Sequence, residues 1–474
     1  MRTSKFSASL AVIALLAGCG GGGGSNNNTG GVPSPSPTPT TAQCSLSAQQ
    51  DFVRNTLNTN YLFPELLDLN VNKANYSNLQ SYIDALVAPA RAQAKDRFFT
   101  YATSIAEETA FQQSGASAGF GFRLRYDSDA RRLFVIETFE GTSALGANVD
   151  RGTEIVGIGT SAANIVSVSS LFANGGAAAV SDALGPSTAG TTRVLRVIDQ
   201  TGATREVSLS KTDYSLDPVS DRYGARIIND GGKQVGYINL RTFSVASAEQ
   251  DLNTAFGQFR AAGVTELIID VRYNGGGLIR IAERFADLLG RNLSGQVFER
   301  IAFRPSRSGD NSVYNFNPNG NSIAPTKIAF ITSRSTASAS ELIINGIKPY
   351  VQDIALIGDN TFGKPVGQEA FDLAACDLRF RAVTLEIRNR DNFGDYYTGL
   401  AASVPKTCRA ADTLNAQLGD PNESQIKVAL DFLAGRSCTP ISASTGAASV
   451  RDTGLLLPTV GDRTPTQHEV PGAY

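Results

Sequence analysis

Two apolar runs in the second half of the chain constrain the fold more than any other feature. Residues 267–271 (Leu-Ile-Ile-Asp-Val) and 327–332 (Lys-Ile-Ala-Phe-Ile-Thr) each have the length and composition of a buried strand. A further strand-like segment at 234–240 and an amphipathic helical pattern at about 247–262 precede the first run. Strand, helix and strand in this order form right-handed βαβ units with a parallel sheet. The sequence therefore predicts an α/β domain.

A glycine-rich turn follows the first of these strands. In residues 272–277 (Arg-Tyr-Asn-Gly-Gly-Gly), three glycines allow a sharp turn and expose backbone N–H groups. Such donors can hold a developing oxyanion. The same pattern also fits a plain turn or a phosphate cradle, although the Walker lysine and serine are missing.

A serine stands where the second strand meets a predicted helix that runs from residue 339 to about 348. There the Ser338 hydroxyl would lie at the open end of the sheet, with the next backbone N–H near a helix start, which suits acyl transfer. The alternative is that Ser335, Ser338 or Ser340 only caps the helix. The next strand, at 353–358, and its turn bring Lys364 back beside the serine.

The composition limits which base can serve this serine. The only histidine, His468, lies in a segment near the end of the sequence that is rich in Pro, Thr and Gly, where a fixed Ser-His-Asp triad is not expected. Scarce histidine also argues against zinc. A lysine kept neutral by desolvation is a known alternative base. The formal net charge of −2 gives no basic field for nucleic acid, so no nucleic-acid partner is expected.

The beginning of the chain reads as an export signal and a tether. Residues 1–18 combine a positive start with a short apolar run, and the site before Cys19 resembles the lipobox of bacterial lipoproteins. The alternative is an ordinary secretory signal with an incidental cysteine. Residues 19–43, rich in Gly, Ser and Pro, are predicted to be a disordered tether. The expected location is the cell envelope, as a periplasm-facing lipoprotein anchored to the inner or outer membrane.

Export would place the four remaining cysteines in a compartment where disulfides form. Cys44, Cys376, Cys408 and Cys438 allow three pairings in an oxidising compartment. We favour Cys376 with Cys408 and Cys44 with Cys438, while free structural thiols are the alternative.

Two smaller regions precede the α/β domain. Residues 44–105 show helical spacing and predict a helical domain, whereas 106–213 contain short strand-like runs separated by turns. The second region resembles a PDZ domain, which implies that its Gly-rich loop binds a peptide carboxylate and that the following strand pairs with the peptide. The loop residues are Gly119, Phe120, Gly121 and Phe122. The alternative is a small β domain with a Gly-rich hairpin.

Three motifs in the third region carry a family resemblance. They are 270–277 (Asp-Val-Arg-Tyr-Asn-Gly-Gly-Gly), 336–341 (Thr-Ala-Ser-Ala-Ser-Glu) and 361–368 (Thr-Phe-Gly-Lys-Pro-Val-Gly-Gln). Together they resemble the carboxyl-terminal processing, or tail-specific, serine proteases. The resemblance implies a crotonase-like (ClpP/crotonase-type) α/β protease domain at 214–440. Residues 441–474 are rich in Ser, Thr, Pro and Gly and predict a disordered or loosely packed C-terminal tail, with Leu455, Leu456 and Leu457 as the residues that would dock on the body.

The resemblance also implies roles for single residues. Ser338 is the nucleophile, Lys364 its general base, and Gln368 the residue that orients the lysine. The backbone N–H groups of Ala339 and Gly276 form the oxyanion hole. No cofactor is implied, and the substrates are protein or peptide C-termini.

Two departures from the family pattern and one rival function accompany this assignment. Pro365 follows the lysine where many members have glycine, and Gly275 stands where several have proline. Neither departure removes a catalytic group. The rival is a non-catalytic peptide-binding scaffold lipoprotein. The oligomeric state stays open, a homo-oligomer included.

Overall fold

The structure, a computed structural model, describes residues 44–442 and 454–474. Its helices, in chain order, are α1 (Leu46–Asn60), α2 (Leu79–Leu86), α3 (Ala88–Ala92), α4 (Ile105–Ser114), α5 (Ser143–Gly146), α6 (Val168–Leu184), α7 (Ala248–Ala261), α8 (Ile279–Leu289), α9 (Ala339–Ile347), α10 (Ser424–Leu433) and α11 (Pro465–Glu469). Helix α6 is interrupted at Gly175 and Gly176, whose backbone is not helical.

The strands lie in four sheets. In chain order they are β1 (Tyr101–Ser104), β2 (Ala116–Gly119), β3 (Phe122–Asp127), β4 (Arg132–Thr138), β5 (Glu154–Gly159), β6 (Val166–Ser167), β7 (Thr192–Ile198), β8 (Thr204–Ser210), β9 (Thr212–Ser215), β10 (Ala225–Asp230), β11 (Lys233–Asn239), β12 (Glu266–Asp270), β13 (Val297–Phe303), β14 (Ser312–Asn315), β15 (Lys327–Thr332), β16 (Asp353–Gly358), β17 (Val366–Leu373), β18 (Leu378–Arg388) and β19 (Lys406–Arg409).

The predicted α/β domain is built on a six-stranded sheet of order β10-β11-β12-β15-β16-β19. Strands β11, β12, β15, β16 and β19 pair in parallel, while β10 adds an antiparallel edge. Apolar side chains cover both faces of β12 and β15, because helices α7, α8 and α9 pack on one side and α10 on the other. The strands predicted at 327–332 and 353–358 are confirmed as β15 and β16. Parallel strands place their carboxyl ends at one edge, so the turns after β12 and β15 meet there.

A second sheet, of order β1-β18-β13-β14 with β17 beside β18, closes one side of the domain. Helices α1 and α2 of the predicted helical region pack against β17 and β18, and their apolar residues share one cluster with Phe362 and Val366. The segment that leads into β1 therefore comes to lie beside the turn that carries Lys364.

The region 106–213 contains its own sheet of order β3-β4-β5-β7-β8, with β6 beside β5. Helix α6 covers one face of this sheet, and their apolar side chains form a separate cluster. Strand β3 lies at the edge of the sheet, next to the Gly-rich loop.

The favoured disulfide pairing is wrong. The structure joins Cys44 to Cys376 and Cys408 to Cys438. Cys44 immediately precedes α1, and α1 packs on β18 beside the β17–β18 turn that holds Cys376. Cys438 follows α10, which brings it back to Cys408 on β19. Tertiary packing decided between pairings that the sequence alone left open.

The expectation of a disordered or loosely packed tail is wrong for residues 454–474, whereas the expected docking of the leucines is confirmed for Leu455 and Leu456. Leu455 and Leu456 are buried, as are Val470, Ala473 and Tyr474. These apolar side chains complete clusters of the main body, which supplies the free energy that orders the segment. The signal at 1–18, Cys19 and the tether at 19–43 lie outside the described residues. Within the part of the chain that is described, no helix has the length and apolarity to cross a membrane.

Candidate active site

Ser338 lies at the junction predicted for it, between β15 and α9. Its backbone has φ 55° and ψ −119°, a conformation that an L residue rarely adopts. A Cβ atom on Gly276 would lie 2.6 Å from the Ser338 Cβ, so only glycine permits this approach of the two turns. Every residue of α9 is buried, which anchors the serine from its carboxyl side.

Lys364 lies on the turn between β16 and β17. Its Nζ donates a hydrogen bond to Gln368 Oε1 at 2.7 Å and lies 4.8 Å from the centre of the Phe99 ring. Desolvation lowers the pKa of Lys364 to about 8, against the opposing effect of the Glu469 and Asp96 carboxylates. A substantial neutral fraction is therefore present at mildly alkaline pH.

Gln368 is held in turn by the region that precedes β1. Its Nε2 donates to the carbonyl oxygen of Phe99. Arg97 donates to the carbonyl oxygen of Phe362 at 2.8 Å, and its guanidinium carbon lies 4.0 Å from the centre of that ring. The segment 97–99 therefore fixes both the lysine turn and the lysine's hydrogen-bond partner.

The buried carboxylate of Glu341 joins the serine turn to the lysine turn. It accepts hydrogen bonds from the backbone N–H groups of Ser338 at 3.1 Å, Gly363 at 2.8 Å and Lys364 at 2.7 Å. It also accepts one from Thr361 Oγ1 at 2.5 Å. Burial raises the pKa of Glu341, while these donors oppose the rise. One side chain thus ties the nucleophile to the base.

A buried network of ion pairs holds the backbone of the glycine turn after β12. The Asp270 carboxylate accepts from Arg272 Nη2 at 2.8 Å, and both Nη atoms of Arg272 donate to Glu423, at 2.8 and 3.0 Å. All three side chains are buried. Arg123 of β3 and Arg151 reach the same turn by donating to the carbonyl and hydroxyl oxygens of Tyr273. These contacts hold the backbone that leads into the glycine turn.

The glycine turn also bonds to the serine turn. The Asn274 carbonyl oxygen accepts from Ala337 N at 3.2 Å and from Ser340 Oγ at 3.1 Å. The Asn274 side chain accepts from Gly276 N at 2.9 Å. The N–H group predicted as an oxyanion donor is therefore engaged within its own turn here. The backbone of Ala339 begins helix α9, where N–H groups have no partner within the helix.

Ser338 and Lys364 face one cavity of about 240 Å³. Gln368, Gly275 and Gly277 also line it, with Phe99 and Tyr101 from the amino-terminal region. The opposite wall comes from the segment 454–474, through His468, Glu469 and Pro471. Three distant parts of the chain thus enclose the serine and the lysine.

His468 forms part of this wall and does not lie in a frayed end. Its ring stacks on Tyr101 with 3.8 Å between ring centres. Burial, with the nearby charges of Arg463 and Lys364, holds the pKa of His468 well below its usual range. The residue is therefore a neutral, packed side chain.

The predicted carboxylate loop lies away from the cavity, at the start of β3. The N–H groups of Gly121 and Phe122 both donate to the carbonyl oxygen of Tyr474, at 2.9 and 3.3 Å. A Cβ atom on Gly119 would lie 2.8 Å from the Tyr474 carbonyl carbon. Phe120 and Phe122 are buried in the cluster that also receives Tyr474.

Sequence reasoning missed several residues of the site. Glu341 belongs to the motif 336–341, and it lies three residues after Ser338, which is the spacing of a helix capping box. The sequence alone could therefore have indicated its bond to the serine turn. Arg97, Phe99 and Tyr101 had no such signal, because only the docking of the helical region brings them to the lysine. Glu469 was also missed, since its segment was expected to be loose.

The region that contains Ser338 and Lys364 is similar to known proteases. Residues 234–392 match the model of peptidase family S41. A carboxyl-terminal-processing protease of Picosynechococcus sp. is 24% identical over 68% of this chain and 71% of its own. A chloroplastic C-terminal processing peptidase of Tetradesmus obliquus is 28% identical over 55% of this chain and 54% of its own. The chain thus spans between about half and about seven tenths of the length of these relatives.

A solved structure supports the fold over a longer stretch. A Bacteroides fragilis protein provisionally described as an S41 protease superposes with a TM-score of 0.62 at 21% identity. The match covers 81% of this chain and 97% of that protein. At this identity the likeness bears on the fold alone. Residues 234–392 therefore match peptidase family S41, and the chain is similar to the carboxyl-terminal processing proteases.

Proposed function

We propose that this protein is an exported serine endopeptidase that cleaves proteins or peptides near their C-termini through a Ser338/Lys364 dyad. One observation carries the proposal. A serine held in a strained backbone at a helix start shares a cavity with a lysine whose pKa is lowered to about 8. Strained nucleophiles and depressed lysine pKa values are both typical of catalytic sites.

The proposed reaction is an acyl transfer in two steps. Neutral Lys364 takes the proton of the Ser338 hydroxyl as its oxygen attacks the peptide carbonyl, and the lysine then gives that proton to the departing amine. Water next attacks the acyl-enzyme, losing a proton to Lys364, and Ser338 is regained when the lysine returns the proton. Gln368, bonded to Nζ at 2.7 Å, sets the direction of the lysine.

The oxyanion would be held by the backbone N–H groups of Ala339 and Gly276. Ala339 begins α9, where helix geometry leaves N–H groups without a partner. Gly276 N would have to exchange its bond to Asn274 for one to the substrate. We expect substrate binding in this cavity to move the Gly276 N–H from the Asn274 side chain to the substrate oxygen.

The Gly119–Phe122 loop is proposed to be a PDZ-type site for peptide C-termini. Its support is that the N–H groups of Gly121 and Phe122 converge on one oxygen atom, as carboxylate capture requires. Strand β3 lies at a sheet edge, where a peptide strand can pair. Within this proposal residues 44–105, 106–213 and 214–440 are the helical, PDZ-like and crotonase-like catalytic domains.

The cellular setting is proposed from the amino-terminal sequence. Processing before Cys19 and its lipidation would tether the body to an envelope membrane through residues 19–43. Two disulfides within the described residues fit an oxidising compartment. A lipid label on a Cys19-containing chain, absent from Cys19→Ser, would establish the anchor.

The proposed activity can be tested with the soluble chain 44–474. We expect it to hydrolyse an unstructured protein with an apolar carboxyl terminus, whereas Ser338→Ala and Lys364→Ala lower kcat by about 10³-fold or more. Lys348→Ala is the matched control, because Lys348 lies at the end of α9 and does not line the cavity. Equal cleavage by the parent and Ser338→Ala would exclude the dyad. Peptide binding with no cleavage by any form would favour the scaffold lipoprotein.

A further inference from the structure

The exposed edge of strand β3 is already filled by the protein itself. Leu124 N donates to the Gly472 carbonyl at 2.8 Å, and Tyr474 N donates to the Phe122 carbonyl at 2.9 Å. Further along, Tyr126 N donates to the Gly454 carbonyl at 2.7 Å. The bridges between β3 and this segment are antiparallel. This is the hydrogen-bond pattern by which a peptide strand extends a sheet.

The side chain of Tyr474 fills the pocket that accompanies this edge. It is 3% exposed and packs in the apolar cluster shared by β3 and α6. Its hydroxyl donates to Ser181 Oγ of α6 at 2.8 Å. A backbone paired to β3 and a side chain inserted beside α6 together make an anchored strand.

The same segment reaches the catalytic cavity at its other end. Glu469 accepts a hydrogen bond from Ser244 Oγ, and a Cβ atom on Gly275 would lie 3.1 Å from the Pro471 Cδ. Glu469 and Pro471 line the cavity that holds Ser338 and Lys364. We call the edge of β3 together with the space beside α6 that receives Tyr474 the β3 groove. Fewer than ten residues separate Tyr474 in this groove from Glu469 and Pro471 beside the glycine turn.

We propose that residues 454–474 are an intramolecular ligand of the β3 groove that also covers the catalytic cavity, so that a peptide must displace them to bind. The groove half of this inference stands on its own contacts, while the cavity half rests on the proposed protease function. The described structure is then the self-occupied state. The occupant also reveals the groove's preference, which is an extended peptide with an aromatic side chain at the Tyr474 position.

Self-occupation has a measurable effect on binding. When only a fraction of the molecules has an open groove, the apparent dissociation constant of a competing peptide rises in inverse proportion to that fraction. Loosening the segment therefore tightens the binding of a peptide in trans, whereas damage to the groove weakens it. Whether the apparent dissociation constant falls or rises therefore distinguishes a displaceable segment from one that is a permanent part of the groove.

Glycine residues in the segment offer a matched pair of variants. Gly472 has φ +87°, and a Cβ atom there would lie 3.0 Å from the Leu124 carbonyl oxygen, so Gly472→Ala should release the strand. Gly461 has no such φ, and its Cβ would make only an ordinary 3.4 Å contact with Gln80, so Gly461→Ala is the control. Both changes leave the groove residues and Ser338 intact.

The experiment measures binding of a fluorescent peptide, Val-Pro-Gly-Ala-Tyr, to the chain 44–474 carrying Ser338→Ala. We expect Gly472→Ala to bind about tenfold more tightly than the parent, and Gly461→Ala to bind like the parent. Hydrogen exchange at the amides of Gly121, Leu124 and Tyr126 should accelerate in Gly472→Ala alone. Equal peptide affinity and unchanged exchange in both variants would overturn the inference.

Two further outcomes separate this inference from the proposed activity. One outcome is that Gly472→Ala tightens peptide binding in the Ser338→Ala background, while the chain with Ser338 intact cleaves no substrate. This result would support the groove ligand and reject the protease. Cleavage by the parent that Gly472→Ala fails to increase would support the protease and reject the cover over the cavity. If Gly472→Ala fails to fold, Tyr474→Ala provides the same readout, because it removes the anchor from a pocket at the surface of α6.

Discussion

Two glycine-rich turns of this protein have similar backbones and different surroundings. The turn at 119–122 contains Gly121 at φ +87°, and the turn at 274–277 contains Gly276 at φ +111° and Gly277 at φ +138°. Both present N–H groups that a residue with a side chain could not place in the same way. The first lies against Tyr474, whereas the second lies against Ser338. Such a turn is a general hydrogen-bond donor, and the element packed opposite it decides which acceptor it binds.

The supports of the two turns also differ. The turn at 274–277 is held mainly by buried ion pairs of Arg272 and by bonds to the serine turn, both within the α/β domain. The turn at 119–122 closes on a segment that follows the whole domain in sequence. We therefore expect changes at the first turn to abolish chemistry, and changes around the second to alter access.

Among changes that compare the two turns, the largest effect is expected for Gly277→Ala. A Cβ atom there would lie 2.4 Å from the backbone carbon of Phe243, so the turn must shift. Displacing a catalytic group by about 1 Å can cost about 100-fold in rate, and we expect a loss of kcat of at least that size. Gly320→Ala, which meets no atom within 4 Å, is the control. A folded Gly277→Ala variant with parental kcat would show that this turn takes no part in catalysis.

A smaller effect is expected for Glu341→Ala. It leaves buried N–H groups of Ser338, Gly363 and Lys364 without their acceptor, which should lower the free energy of unfolding by about 3 kcal/mol. The serine and lysine turns should also separate, with a loss of kcat of about 10- to 100-fold. Thermal unfolding and kinetics on Glu341→Gln, which keeps one acceptor oxygen, test whether the carboxylate acts by positioning. Parental kcat in Glu341→Ala would contradict this role.

The smallest effect is expected for Glu469→Gln, which removes a negative charge that acts on Lys364. The Glu469 carboxylate raises the pKa of Lys364 against desolvation, as do Asp96 and Glu341, while Arg381 lowers it. Because the base must be neutral, the rate should rise with pH through about 8 in the parent. Removing the Glu469 charge should lower that midpoint and raise the rate at pH 7 by less than about tenfold.

The shape of the pH profile separates this electrostatic effect from release of the segment. Release of the segment should also raise the rate at alkaline pH, where Lys364 is already neutral, whereas a lower lysine pKa only moves the midpoint of the rise. A profile of kcat against pH for the parent, Glu469→Gln and Gly472→Ala compares the two directly. An unmoved midpoint in Glu469→Gln would show that its carboxylate does not act on Lys364.

Much of the catalytic domain was predictable, because its signals are local. Strands β15 and β16 were predicted at their observed bounds, since short apolar runs between turns specify buried strands. Ser338 and Lys364 were candidates because each follows such a strand, and the family resemblance added Gln368. The disulfide pairing and the order of most of residues 454–474 were predicted wrongly. The Cys44–Cys376 bond and the packing of that segment on β3 both join residues hundreds of positions apart.

The sequence by itself determined the α/β architecture, the order of the three motifs and the residues able to act as nucleophile and base. Periodicity, glycine content and the scarcity of histidine are properties of the chain that need no partner. Only the tertiary structure decided that Phe99 and Glu341 surround the dyad, and that Tyr474 fills the edge of β3. The physical reason is that the desolvation of Lys364 and the pairing of β3 both depend on residues that are close in space and distant in sequence. These residues come from both ends of the described part of the chain.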